Sequence, residues 1–221
     1  MGSTRLAGAE LRSLVLIPSL VTLGVTLLRL TGELFHWSER FFSRAAGGAF
    51  ALVGIVWLVP VFGVVFGLRL VRAGHPPPRS GRAVLAGFLG VLALPLLVTL
   101  WARLGFPPVA QVLAFCAGYA VVAWFAAKSW PALAKTLFAY GLLARIPVAA
   151  IMLIAIFANW GTHYELGRPD LPPLEPPLVK WLVIGLAPQL GLWLSFTVIV
   201  GLLFGAIAAA VATRGTPELK G

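Results

Sequence analysis

Arg145 stands near the middle of an apolar run, 132–157, that is long enough to cross a bilayer. Placing an arginine there costs about 2.5 to 3.5 kcal/mol even on the lenient insertion scale. A guanidinium does not shed its proton to escape that cost, so it must find partners. None of the seven acids falls at comparable depth: Glu10 and Glu218 sit at one edge, and Glu33, Glu39, Glu165, Asp170 and Glu175 in loops at the other. The expectation is therefore that Arg145 is neutralised by a bound anion, whose phosphate or carboxylate oxygens suit its planar fork. Gln189 and Tyr119 each lie about ten residues into their own apolar runs and reach the same layer. Asn159, on a continued helix, falls near the angular face of Arg145. Arg145, Gln189, Tyr119 and Asn159 are the candidate binding set for an anionic lipid or small anion. The plainer alternatives are a hydrogen-bond network without ligand, fed by the carbonyls of Leu143 and Ile184 that Pro147 and Pro188 leave free, or an arginine that snorkels.

A second group follows that run. His163 can act as a general base or a metal ligand, helped by Glu165, or by His36, Glu33 and Glu39 from an earlier loop. His163, Glu165 and His36 are thus the weaker, catalytic candidates. The His-Tyr-Glu triplet has no metal-binding spacing, and N-W-G-T-H-Y also reads as a helix end with an aromatic belt. The chain holds no H-E-x-x-H, glycine-rich nucleotide loop, G-x-S-x-G or C-x-x-C-H, so neither a cofactor nor a metal is expected. Cys116, the one cysteine, has no partner for an intrachain disulfide.

These residues need helices in lipid to position them. Of 221 residues 60% are apolar and 11% charged, with a mean hydropathy of +0.96, which no soluble surface tolerates. The expected fold is all-α: a polytopic integral membrane protein with one transmembrane domain over 1–221. Its six-helix bundle has spans near 11–30, 47–70, 83–101, 109–130, 132–157 and 178–212. Arg5 and Arg12 before the first run imitate a signal peptide, but no small-residue cleavage site closes it, so the run reads as a retained span. Residues 33–44, ELFHWSERFFSR, space their apolar side chains roughly along one helical face and predict an amphipathic helix in the interface. Proline-rich 169–177 predicts an extended loop.

Six spans put both termini on one side. Ten Lys and Arg fall there against six opposite, which favours cytoplasmic termini in a cell-membrane protein. The formal charge of +10 is spread through short loops as anchors, and nucleic acid is excluded as a partner on that ground. Three function classes remain: a permease or lipid- and anion-handling protein around Arg145; a non-catalytic assembly or scaffold protein; and a membrane-surface enzyme or metal-binding protein around His163. Membrane lipids are the expected surroundings. Gly63 with Gly67, and Gly201 with Gly205 and Ala209, offer close helix contact, within the chain or with another copy or membrane-protein partner.

Overall fold

The computed structural model describes residues 8–46 and 51–214. Arg5, Glu218, Lys220 and residues 47–50 of the expected second span lie outside the described residues. Within them the chain is helical, in the order α1 Gly8–Leu34, α2 Leu58–Arg72, α3 Ser80–Arg103, α4 Pro108–Ala127 and α5 Pro131–Ala158. A 3-10 turn, His163–Glu165, precedes a last run made of α6 Pro177–Lys180, two π-helical segments at Trp181–Leu186 and Pro188–Trp193, and α7 Leu194–Arg214. Prolines 108, 131 and 177 each stand at a helix start, where their fixed φ suits the first turn and no N–H is missed.

Five of the described runs are long and apolar enough to cross a membrane: Gly8–Leu34, Ser80–Arg103, Pro108–Ala127, Pro131–Ala158 and Pro177–Thr213. Their outer faces carry bare Leu16, Ile17, Leu96, Phe157 and Val211. Such an exterior suits hydrocarbon and would aggregate in water. The chain is a multi-pass membrane protein.

α7 is the hub of the bundle, packed against α2, α3, α4 and α5. Apolar all round, it buries most of its surface against these neighbours and leaves Phe204, Ile207 and Val211 to face outward. Its glycines let backbones meet. A Cβ on Gly63 would stand 2.6 Å from the Gly201 carbonyl oxygen, and one on Gly67 2.5 Å from that of Gly205. The two glycine pairs thus face each other, in parallel register, across α2 and α7. Gly87 likewise meets the backbone of Leu203. The glycine stripe on α7 is spent inside the chain, so it is not a free face for a partner.

Two segments differ from the sequence reading. The second run is helical only over α2, whose 15 residues reach about 22 Å, short of a hydrocarbon layer of about 30 Å. Residues 51–57 before it form bends and turns. Residues 35–45 are turns as well, not an amphipathic helix. α1 is closed by paired bonds from Trp37 N–H to the Gly32 carbonyl, 2.8 Å, and His36 N–H to the Glu33 carbonyl, 3.2 Å, with His36 left-handed at φ 55°. Phe42 then folds onto Gly32, where no Cβ would fit, and the N–H groups of Leu52 and Val53 bond to the carbonyls of Arg40 and Phe41. The apolar spacing of 33–44 serves this folded-back cap.

Candidate functional site

Where the last run unwinds, it meets α1 and α5 around a cavity of about 150 Å³. Thr26 and Arg29 line it from α1, Arg145, Val148 and Met152 from α5, and Ile184, Gln189 and Trp193 from the π-helical segments. Ile55 and Val56 of the irregular 51–57 stretch, and His163, Tyr164 and Leu166 from the turn after α5, complete the wall. Backbone that departs from helix within a membrane protein is tolerated where protein or a water-filled cavity satisfies it. Pro188 is one cause of the unwinding, since it has no N–H to give the preceding turn. Cys116 steadies the same place, its thiol donating to the Ala187 carbonyl at 3.3 Å.

Arg145 is 4% exposed and makes no hydrogen bond or ion pair with any described residue. Its Nε is fully enclosed and unpartnered. The guanidinium carbon lies 5.1 Å from the centroid of the Trp193 ring, a cation-π contact that replaces part of its hydration but supplies no acceptor. Beside it the Gln189 Oε1 is also buried without a partner, while Nε2 has only the Met152 sulfur at 3.6 Å. Neither Leu143 nor Ile184 bonds Arg145, although Pro147 and Pro188 were expected to free their carbonyls.

Three charged or ionisable groups also converge at the cavity, Arg29 and His163 from its wall and Glu33 behind them. Glu33, 1% exposed, accepts from Arg29 Nε at 2.9 Å, from the His163 backbone N–H at 2.9 Å and from His163 Nδ1 at 2.5 Å. Arg29 further donates to the Ser43 carbonyl at 3.1 Å, and Gly54 leaves room for its guanidinium. A carboxylate only accepts, so the proton of neutral His163 sits on Nδ1 and its Nε2 carries the lone pair. Nε2 has no hydrogen-bond partner among the described residues. Burial holds His163 below the ordinary histidine range, against the opposing pull of Glu33. Burial also pushes the neighbouring Tyr164 phenol up, so it stays neutral.

The sequence candidates separate in space. Arg145, Gln189 and His163 line one cavity. Tyr119 is buried in the apolar cluster with Leu94, Ala123 and Ile199, and does not line it. Asn159 is exposed and ends α5 in the left-handed conformation at φ 50°. Glu165 accepts the backbone N–H groups of Trp160, at 2.9 Å, and Gly161, and so fixes the turn that aims His163. His36 is exposed at the end of α1, with Nδ1 3.0 Å from the Leu34 carbonyl. Among the described residues no three His, Cys, Asp or Glu side chains gather as a metal would require.

Arg29 and Glu33, taken from sequence as residues of the outer edge, are instead buried, so Arg145 is not the one charged side chain inside. Their spacing of four on a helix was the available signal, since it makes an ion pair on one face. Trp193 and Met152 had no such signal in an apolar run. No family model, curated protein or solved structure matches the chain.

Proposed function

We propose that the protein receives an oxyanion, free or as a lipid headgroup, in the cavity at Arg145, and serves as a permease or lipid-handling protein. The observation that carries this reading is Arg145 itself: a permanent cation, nine-tenths buried, lining a cavity without an acceptor. Leaving such a charge uncompensated is strongly unfavourable, and a bound anion relieves it. Arg29 and Glu33 neutralise each other, so the cavity keeps one net positive charge from Arg145. Gln189 and Trp193 add an amide and an aromatic face that orient a ligand. The scaffold reading loses its best support because the Gly201 and Gly205 face is occupied by α2. By the bias in basic loop residues, the termini are cytoplasmic and the His163 end of the cavity faces outward.

Purification with native lipids, followed by mass spectrometry, tests this directly. The expected result is a specific anionic lipid or solute that is retained by the wild type, weakened in Arg145→Lys and largely lost in Arg145→Gln, with all three proteins folded. Lysine keeps the charge and loses the paired hydrogen bonds. Equal retention in all three would overturn the reading. A second reading, a membrane-surface enzyme with His163 as general base, is favoured by the Glu33 contact that leaves Nε2 free; it requires chemically altered lipid to appear on incubation.

A further inference from the structure

We propose that the cavity takes up its oxyanion together with a proton, the anion resting against Arg145 and the proton on Nε2 of His163. The inference rests on the reading of Arg145 as an anion site. Its ground is that Arg145, whose Nε is buried without an acceptor, and His163, whose Nε2 has no hydrogen-bond partner among the described residues, line one cavity. Glu33 holds the imidazole through Nδ1, which fixes the tautomer and leaves Nε2 as the atom that gains a proton. With His163 neutral, the cavity carries one net positive charge and balances a singly charged ligand. A tetrahedral oxyanion with two charges, such as a phosphate monoester or free sulfate, leaves one negative charge unbalanced. A proton taken from solvent onto Nε2 balances it.

The groups around His163 support this assignment. Arg29 and Glu33 face it from α1 and are already paired, and Arg145 faces the cavity from α5. Tyr164 lies alongside, ring centroids 4.0 Å apart, and Glu165 is turned to the backbone of Trp160 and Gly161. The last run and 51–57 bring only Ile184, Gln189, Trp193, Ile55 and Val56, none of which titrates. Burial and Arg29 disfavour the imidazolium. An anion in the cavity reverses that balance, and reciprocity then requires that protonation of His163 tighten the anion.

The test uses the full chain in phosphatidylcholine nanodiscs. Sulfate and phosphatidylglycerol are the probes, because neither titrates between pH 5 and 8. Calorimetry in two buffers of different ionisation heat counts the protons taken up per anion bound. The expected result is uptake of up to one proton, with affinity falling by as much as about tenfold per pH unit as pH rises through the titration of His163. Proton uptake with sulfate supports the inference and points to a free anion, whereas binding of phosphatidylglycerol alone, whose single charge Arg145 balances without a proton, overturns it and leaves a lipid-headgroup site. His163→Gln should bind with a flat pH profile, and if that variant fails to fold the wild-type proton count decides alone. Binding that needs Arg145 but takes up no proton and is equal at pH 5 and 8 overturns the inference and leaves the anion site standing. No binding of either probe overturns both.

Discussion

The seam between α2 and α7 and the cavity beside α5 lie in the same bundle and obey opposite rules. Along the seam, Gly63, Gly67, Gly201 and Gly205 remove side chains so that backbones touch, and nothing there titrates. Around the cavity the helices unwind or stop, and Arg29, Glu33, Arg145 and His163 are enclosed with polar atoms left over. Close packing holds one half of the last run, while the other half gives up regular helix to carry Gln189 and Trp193. Stability and ligand chemistry are thus separable along one stretch of chain, which substitutions can verify.

The largest effect is expected at the seam. Gly67→Leu drives a side chain into the Gly205 backbone and should destabilise by about 3 kcal/mol or more, seen as loss of monodisperse protein on heating. Retention of wild-type stability would mean that the two helices do not approach as described. Next comes Glu33→Gln, which leaves Arg29 and His163 without their carboxylate and should cost about 2 to 3 kcal/mol by the same assay. Arg145→Gln should behave in the opposite way. Stability is expected to hold or rise, since an uncompensated buried charge is removed, while anion affinity falls about 10- to 100-fold.

The effect of pH on stability without added anion is smaller and has a definite sign. Because the folded pKa of His163 is depressed, the unfolded chain binds more protons as pH falls below the ordinary value of about 6.5. His163 therefore contributes stability that is present above that value and lost as pH drops through the folded pKa. Thermal midpoints should decline in that window, and added sulfate should reduce the decline. Smallest of all should be Gly81→Ala, where a Cβ meets nothing within 4 Å; a change beyond about 0.5 kcal/mol there would blunt the contrast with Gly67.

The membrane class was legible because hydropathy is a property of long runs, and Arg145 was legible because it interrupts one. Residues 51–57 misled for the same reason: apolar side chains on irregular backbone, Ile55 and Val56 of the cavity wall among them, are as hydrophobic as those of a helix. The 33–44 segment has helical spacing, yet the left-handed His36 and the fold of Phe42 onto Gly32 depend on contacts that spacing does not encode. Arg29 and Glu33 looked like edge residues because their third partner, His163, lies 130 positions from Glu33 and is aimed by a turn that Glu165 fixes. Long-range pairing of this kind leaves no local periodicity.

The late start of α2 has a further consequence for any mutational dissection. The helix begins at Leu58, two residues after Val56 of the cavity wall, so its first peptide dipoles, with the Val59 N–H bonded to the Val56 carbonyl at 3.2 Å and Pro60 supplying no N–H, start beside that wall. Together they carry a partial positive charge of roughly half a unit, a field supplied by the backbone alone. Stripping the side chains of Arg145 and His163 would leave that field in place, and anion affinity should level off at a residual floor instead of vanishing.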